Sequence, residues 1–167
     1  GSRTADGAAA GFFKDTLERV SVAFGATGDD HYRAIAASAM VSGDAAHAIH
    51  PSYASKHDEH YQPHLNGGPV IKINASQKYT TTAQTAALFE HICKLREVPV
   101  QRIISRSDVS SASTVGPIIS TQLGIPSVDV GHPIWAMHSI RETGGVADHP
   151  WMIVALTGFL ESEVEWG

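Results

Sequence analysis

The sequence has little cysteine, no excess of positive charge and no long apolar run, and each absence removes a class of protein. The lone cysteine, Cys93, excludes an internal disulfide and suits a reducing compartment, so we expect a cytoplasmic protein. The 12 basic and 17 acidic residues give a net charge of -5, which argues against nucleic acid as the main partner. Because no stretch of about 18 apolar residues occurs, no membrane span is expected.

Several catalytic motifs are also missing from the sequence. It contains no G-x-S-x-G nucleophile turn, no G-x-x-x-x-G-K-[ST] phosphate loop, no G-x-G-x-x-G and no H-E-x-x-H. Cys93 falls in the middle of a predicted helix, on or near its apolar face, which favours a core residue over a nucleophile. The remaining candidates are carboxylates and imidazoles near strand ends, where α/β folds build their sites.

Helical and strand patterns alternate along the chain, which predicts one α/β domain with helices on both faces of a sheet. The predicted helices are Ala5–Phe24, His31–Ala39, Thr82–Val98, Thr114–Leu123 and Pro150–Glu161, and the predicted strands are Met40–Gly43, Pro69–Ala75, Val100–Ser105 and Ile125–Val130. In the helix Thr82–Val98, the inward positions are Thr85, Leu88, Phe89, Ile92 and Leu95, and Glu90 and Lys94 form a favourable pair on its surface. The segment His47–Gly68 is predicted to be a long irregular loop, which is uncommon unless it serves a function.

Histidine is unusually frequent in and around that loop. Of the 10 histidines, five fall in this segment: His47, His50, His57, His60 and His64. Histidine is the commonest metal ligand and the usual proton carrier near neutral pH. For the last three, solvated imidazoles in a polar loop are the favoured interpretation.

Three further residues are candidates with an ordinary structural alternative. Asp44 follows a predicted strand, and it could equally be a helix N-cap. His138 follows a strand and a proline, and it could equally be a buried histidine bound to a backbone carbonyl. Lys72 lies on a predicted strand and could be solvated there. Local sequence alone favours the structural alternative in each case.

Four segments in a fixed order change that balance. They read SGDAAHAIHPSY, GPVIKINASQKY, SDVSSASTVGP, VDVGHPIWAMHSIRE and, within the last, AMHSIRE. Together they resemble the aspartyl aminopeptidases, metallopeptidases with two zinc ions in one site, over residues 1 to about 160. The resemblance implies a three-layer α/β/α fold with a mixed central sheet. It also implies that residues 1–167 form the C-terminal portion of the catalytic domain, so that the fold is incomplete.

The resemblance assigns roles to five residues of this sequence. Asp44 matches the carboxylate ligand of one zinc, and His138 matches the imidazole ligand of the other. Lys72 matches the lysine that would recognise an N-terminal Asp or Glu of a peptide substrate, His47 matches a histidine of the same pocket, and His50 would help to orient the substrate. Oxygen and imidazole ligands suit zinc, although cobalt or manganese would also bind such donors.

The resemblance also implies what the sequence does not contain. An upstream histidine, a bridging aspartate and a glutamate pair that includes the general base have no counterpart here, so no catalytic residue is assigned in this segment. The module that builds dimers and larger homo-oligomers is missing as well. We therefore expect an aminopeptidase for acidic N-terminal residues whose isolated segment is inactive. The alternatives are a non-catalytic assembly or binding subunit that keeps the fold and, less favoured, a two-metal hydrolase acting on other amides.

Overall fold

The computed structural model describes residues 4–109 and 115–163. Its strands form one mixed sheet, in which some neighbours are parallel and others antiparallel. The strands are β1 (Met40–His47), β2 (Val70–Ile73), β3 (Gln101–Ile104), β4 (Ser127–Trp135) and β5 (Thr143–Gly144). Their order is β1-β4-β2-β3, and β5 lies beside the end of β4. β1 is parallel to β4 and β2 is parallel to β3, whereas β2 and β4 are antiparallel. The predicted mixed sheet is confirmed.

Helices cover both faces of this sheet. They are α1 (Phe12–Ala23), α2 (Gly28–Ala36), α3 (Ala83–Leu95), α4 (Val115–Leu123) and α5 (Asp148–Leu160), with a short 3-10 helix at Pro51–Lys56. Val128 and Val130 of β4 join the core formed with α3 and α5. Asp129, between them, points to the opposite face and approaches Gly116 of α4. Since side chains alternate along a strand, α3 and α5 form one outer layer and α4 lies in the other.

Helix α3 follows its predicted pattern closely. Thr82 caps it, and its side chain accepts a hydrogen bond from the Thr85 backbone N–H at 3.2 Å. Phe89 is 0% exposed in the core, and Cys93 is buried beside it as predicted. Leu95 is instead 67% exposed because the helix ends there and the chain turns back to bury Val98.

The predicted surface pair Glu90–Lys94 on this helix is replaced by a contact of Glu90 with a residue on a strand. The Glu90 carboxylate contacts the Arg102 guanidinium of β3, with Oε2 and Nη2 2.7 Å apart, rather than Lys94. A planar guanidinium binds a carboxylate through two parallel hydrogen bonds, which a lysine on the same helix cannot do.

Strands β1 and β4 both extend further than predicted. β1 continues past Gly43 to His47, and β4 continues through Pro133 to Trp135. The reason is their mutual parallel pairing, which keeps both strands extended over their full lengths. Pro133 is tolerated because it falls between Gly131, which pairs with β2, and Ile134, which pairs with β5.

The N-terminal helices differ more from the prediction. Residues 4–11 form turns, so α1 begins at Phe12 rather than Ala5, and none of its residues is buried. α2 begins at Gly28 because Thr27 and Asp30 form a capping box. Thr114, predicted to open α4, lies outside the described residues. Across the described ranges, no helix combines the length and the hydropathy that crossing a bilayer requires.

Replacing Phe89 by alanine should strongly destabilise the core. We expect Phe89→Ala to lower the free energy of unfolding by about 3–5 kcal/mol, because a fully buried aromatic ring leaves a cavity. Leu95→Ala is the matched control on the same helix and should change it by less than about 0.5 kcal/mol, since that side chain is exposed. Urea denaturation of the three proteins measures both values, and equal losses would contradict this packing of α3.

Cys93 should make stability fall at alkaline pH. Burial, and secondarily the charge of Glu90, raises the pKa of the Cys93 thiol from 9.0 to about 12. The unfolded chain therefore ionises this thiol at a lower pH than the folded chain does. The contribution of the Cys93 thiol to the free energy of unfolding is intact below about pH 9 and is lost as the pH rises toward 12.

Urea titrations between about pH 8 and 11 measure this effect when wild type is compared with Cys93→Ala. The difference in unfolding free energy between the two proteins should shrink as the pH rises. A difference that stays constant over this range would show that the thiol is accessible to solvent.

Candidate metal and substrate site

Asp44 lies inside strand β1, paired in register with Gly131 of β4. The N-cap alternative is therefore wrong. One carboxylate oxygen, Oδ1, accepts a hydrogen bond from the Ala45 backbone N–H at 2.7 Å. The other, Oδ2, lies 3.3 Å from Nζ of Lys72, and the side chain remains 54% exposed. The carboxylate is thus held by the strand and still accessible from solvent.

Lys72 is buried, and its whole residue is only 3% exposed. β4 separates β1 from β2, so the Lys72 side chain crosses β4 to reach β1. There its ammonium donates to the carbonyl oxygen of Ala45 at 3.1 Å as well as to Asp44. The alternative of a solvated strand lysine is wrong. Lysine is rarely buried this fully without a partner, and here the partner is a candidate metal ligand.

Tyr79 completes the surroundings of this ammonium and was not identified from the sequence. Its ring centroid lies 5.3 Å from Nζ of Lys72, within the range of a cation–π contact. Burial raises the pKa of the Tyr79 phenol, and the nearby carboxylates of Asp129 and Asp44 raise it further, whereas a hydrogen bond with Ser105 opposes the shift. The only signal in the sequence was its position shortly after the strand that carries Lys72.

His47 lies within electrostatic range of His138 and Lys72. His47 ends β1, and its pKa is lowered first by partial desolvation and then by the positive charges of His138 and Lys72. These electrostatic interactions join residues from β1, β2 and the loop after β4. Three of the candidate site residues, together with Asp44, are therefore brought together at one end of the sheet.

The loop that carries His138 has an unusual backbone. His138 has φ 68° and Ala136 has φ 52°, both in the left-handed region. The His138 backbone N–H donates to a carboxylate oxygen of Glu142, which closes the loop. The His138 side chain is on the exposed surface, so the alternative of a buried histidine is wrong.

His50 makes contacts that stabilise the local structure. It precedes the 3-10 helix, where its Nδ1 accepts a hydrogen bond from the Ser52 backbone N–H at 3.1 Å. Its ring contacts the Trp135 ring at 5.6 Å and the Tyr53 ring at 5.4 Å. Its predicted part in orienting the substrate stays a prediction.

The other loop histidines do not form a metal cluster. His60 and His64 are exposed, in agreement with the solvated interpretation. His57 is partly buried, and its pKa is lowered first by that burial and then by the charge of His47.

The donor set fits part of a zinc site. Asp44 offers an oxygen and His138 offers a nitrogen, and both suit zinc. Among residues 4–109 and 115–163, however, no three side chains of His, Cys, Asp or Glu are grouped so that they could hold a metal ion. Catalytic zinc normally has three protein ligands. The described residues thus match such a site in chemistry but not in number.

Comparison with known proteins identifies the family of the chain. The family model described as "Aminopeptidase I zinc metalloprotease (M18)" matches residues 1–160. A probable M18 family aminopeptidase 2 from Ectopseudomonas mendocina is 48% identical over 162 residues, which cover 97% of this chain and 37% of that protein. Its counterpart from Clostridium acetobutylicum is 47% identical over 152 residues, 91% of this chain and 35% of that protein. The chain thus spans little more than a third of the length of these relatives.

Solved structures give the same result. The mApe1 dodecamer of S. cerevisiae matches with a TM-score of 0.85 and 26% identity, over 97% of this chain and 35% of that one. The M18 aminopeptidase of Thermotoga maritima matches with a TM-score of 0.84 and 25% identity, over 96% and 37% of the two chains. The fold and the family match agree, and the chain belongs to the M18 family of zinc metallo-aminopeptidases.

Proposed function

We propose that this chain is the C-terminal portion of the catalytic domain of a zinc aminopeptidase that removes N-terminal Asp or Glu from peptides. The observation that carries the proposal is the buried Lys72 ammonium, which lies beside the candidate metal ligand Asp44. A fixed positive charge next to a metal-bound substrate would favour a negative side chain at the first position.

The electrostatics of Lys72 support this preference. Two of its three N–H donors meet acceptors, Ala45 O and Asp44 Oδ2, in the part of the chain that the structure describes. The third is left for a carboxylate of the substrate. Because the ammonium is shielded from water, its attraction to that carboxylate is stronger than it would be at the surface.

Asp44 and His138 would each bind one of two zinc ions. The chemistry that such ions supply when bound is activation of a shared water and polarisation of the scissile carbonyl. Asp44 keeps free acceptor positions for a metal, because a carboxylate offers about four lone-pair sites and, among residues 4–109 and 115–163, its side chain accepts two hydrogen bonds. His47 would line the pocket and His50 would help to orient the peptide.

The remaining ligands and the general base would come from the part of the relatives that this chain does not span. With two donors among its described residues, the isolated chain should bind zinc weakly and should not hydrolyse peptides. The intact protein would form homo-oligomers, since the mApe1 relative forms a dodecamer. We place it in the cytoplasm because of its single buried cysteine.

A non-catalytic assembly subunit is the second candidate. It is favoured by the lack of any group of three metal donors among the described residues. Metal content and hydrolysis of an Asp-linked chromogenic amide separate the two candidates, measured on this chain and on a version extended upstream to the length of its relatives. We expect about two zinc ions and cleavage in the extended protein only. An extended protein without metal or activity would favour the assembly subunit.

Lys72→Met in the extended enzyme tests the substrate preference. We expect kcat/KM for an Asp-linked amide to fall roughly 10- to 100-fold, the effect of losing a hydrogen bond to a charged group. Cleavage of an Ala-linked amide should change far less, because methionine keeps an unbranched side chain only one atom shorter and without the charge. The matched control is Lys78→Met, which replaces an exposed lysine in the loop that follows β2.

Two results would contradict the role of Lys72. Equal losses on both amides would mean that Lys72 supports the fold or the metal rather than selectivity. A loss confined to the Ala-linked amide would mean that Lys72 does not recognise an acidic first residue.

A further inference from the structure

We propose that Asp129 is a positioning residue, which acts through Thr80 and Thr81 to hold Tyr79 against Lys72 and thereby sets the selectivity for acidic substrates. This inference rests on the proposed function in one respect: it takes Lys72 to be the group that recognises the substrate.

Asp129 is fully buried near the start of β4 and forms three hydrogen bonds with the segment Thr80–Thr81. Its Oδ2 accepts from the Thr80 backbone N–H at 2.7 Å and from the Thr80 hydroxyl at 3.0 Å. Its own backbone N–H donates to the Thr81 hydroxyl at 3.0 Å. Charge-assisted hydrogen bonds of this kind are stronger than neutral ones, so the segment is fixed to the central strand.

Helix α4 leaves room for the Asp129 carboxylate because a glycine, Gly116, lies at the point of contact. A Cβ added at Gly116 would lie 2.4 Å from Oδ1 of Asp129, so only glycine fits where α4 passes the carboxylate. A carboxylate buried this deeply is costly unless its partners are well placed. The position of Thr80 is therefore strongly determined, and so is that of the residue immediately before it.

That preceding residue is Tyr79, which is held at both ends. Its backbone is continuous with Thr80, and its hydroxyl forms a hydrogen bond with the Ser105 side chain. Between these two points the ring lies 5.3 Å from the Lys72 ammonium. The Tyr79 ring therefore limits the positions that Nζ of Lys72 can occupy on that side. Lysine has a flexible four-carbon side chain. Because the Tyr79 ring restricts it, less conformational entropy of Lys72 is lost when a substrate carboxylate binds.

Thr80→Val in the extended enzyme tests the inference, because it removes the hydroxyl and keeps the shape and the backbone N–H. Two quantities are measured: the acylation rate of Lys72, by mass spectrometry with an amine-reactive ester, and kcat/KM for Asp-linked and Ala-linked amides. We expect acylation to rise roughly three- to tenfold and the Asp-to-Ala selectivity to fall by a similar factor, mainly through KM for the Asp substrate.

Three variants complete the design. Thr80→Ser keeps the donor and should behave like wild type. Asp129→Asn keeps the size and should change both quantities in the direction of Thr80→Val. Thr121→Val removes a hydroxyl from the exposed part of α4 and is the matched control, with no change expected in either quantity.

The outcomes separate the inference from the proposed function. Unchanged Lys72 acylation in Thr80→Val overturns the inference, as does faster acylation with intact selectivity, or an equal loss on both substrates. If wild type shows no preference for the Asp substrate, the proposed function fails. The acylation rates then still decide whether Asp129 holds Tyr79 in place.

Discussion

Parallel pairing between β1 and β4 is the constraint on which the site depends. Because the two strands run in the same direction, their carboxyl ends meet at one edge of the sheet. Asp44 and His47 lie toward that end of β1, and the loop that carries His138 leaves the end of β4. The antiparallel β2 brings Lys72 to the same region from the other side of β4. One pairing pattern therefore places candidate side chains from three separate segments of the sequence in the same region.

Burial of the Lys72 ammonium is costly, and the structure offsets only part of that cost. Removing an ion from water costs several kcal/mol even after relaxation. Asp44, the Ala45 carbonyl and the Tyr79 ring compensate the charge. An apolar side chain would serve stability at least as well, so this lysine is better explained by a role in binding than by one in folding. The exposure of its partner Asp44 fits the same view, since that carboxylate is open to a ligand.

The sequence predicted those features that depend on local pattern. Helix α3 was found from its apolar spacing, and Cys93 was correctly placed in the core. The full length of β1 was missed because Gly43 and Asp44 are poor strand formers, and only pairing with β4 keeps them extended. The burial of Lys72 and its contact with Tyr79 depend on the order of the strands in the sheet. No window of the sequence contains that order, so only the resemblance to a known family pointed to Lys72.

The two candidate metal donors are held by different physical means. Asp44 is fixed by a strand that pairs along its whole length with β4. His138 lies on an exposed loop in a left-handed conformation, which costs of the order of 1–3 kcal/mol for a residue with a side chain. The hydrogen bond from its backbone N–H to Glu142 compensates part of that cost. Strain of this kind persists where the surrounding contacts determine it, and it is typical of binding sites. The position of the His138 imidazole therefore depends on a local loop closure, whereas the position of Asp44 depends on the sheet.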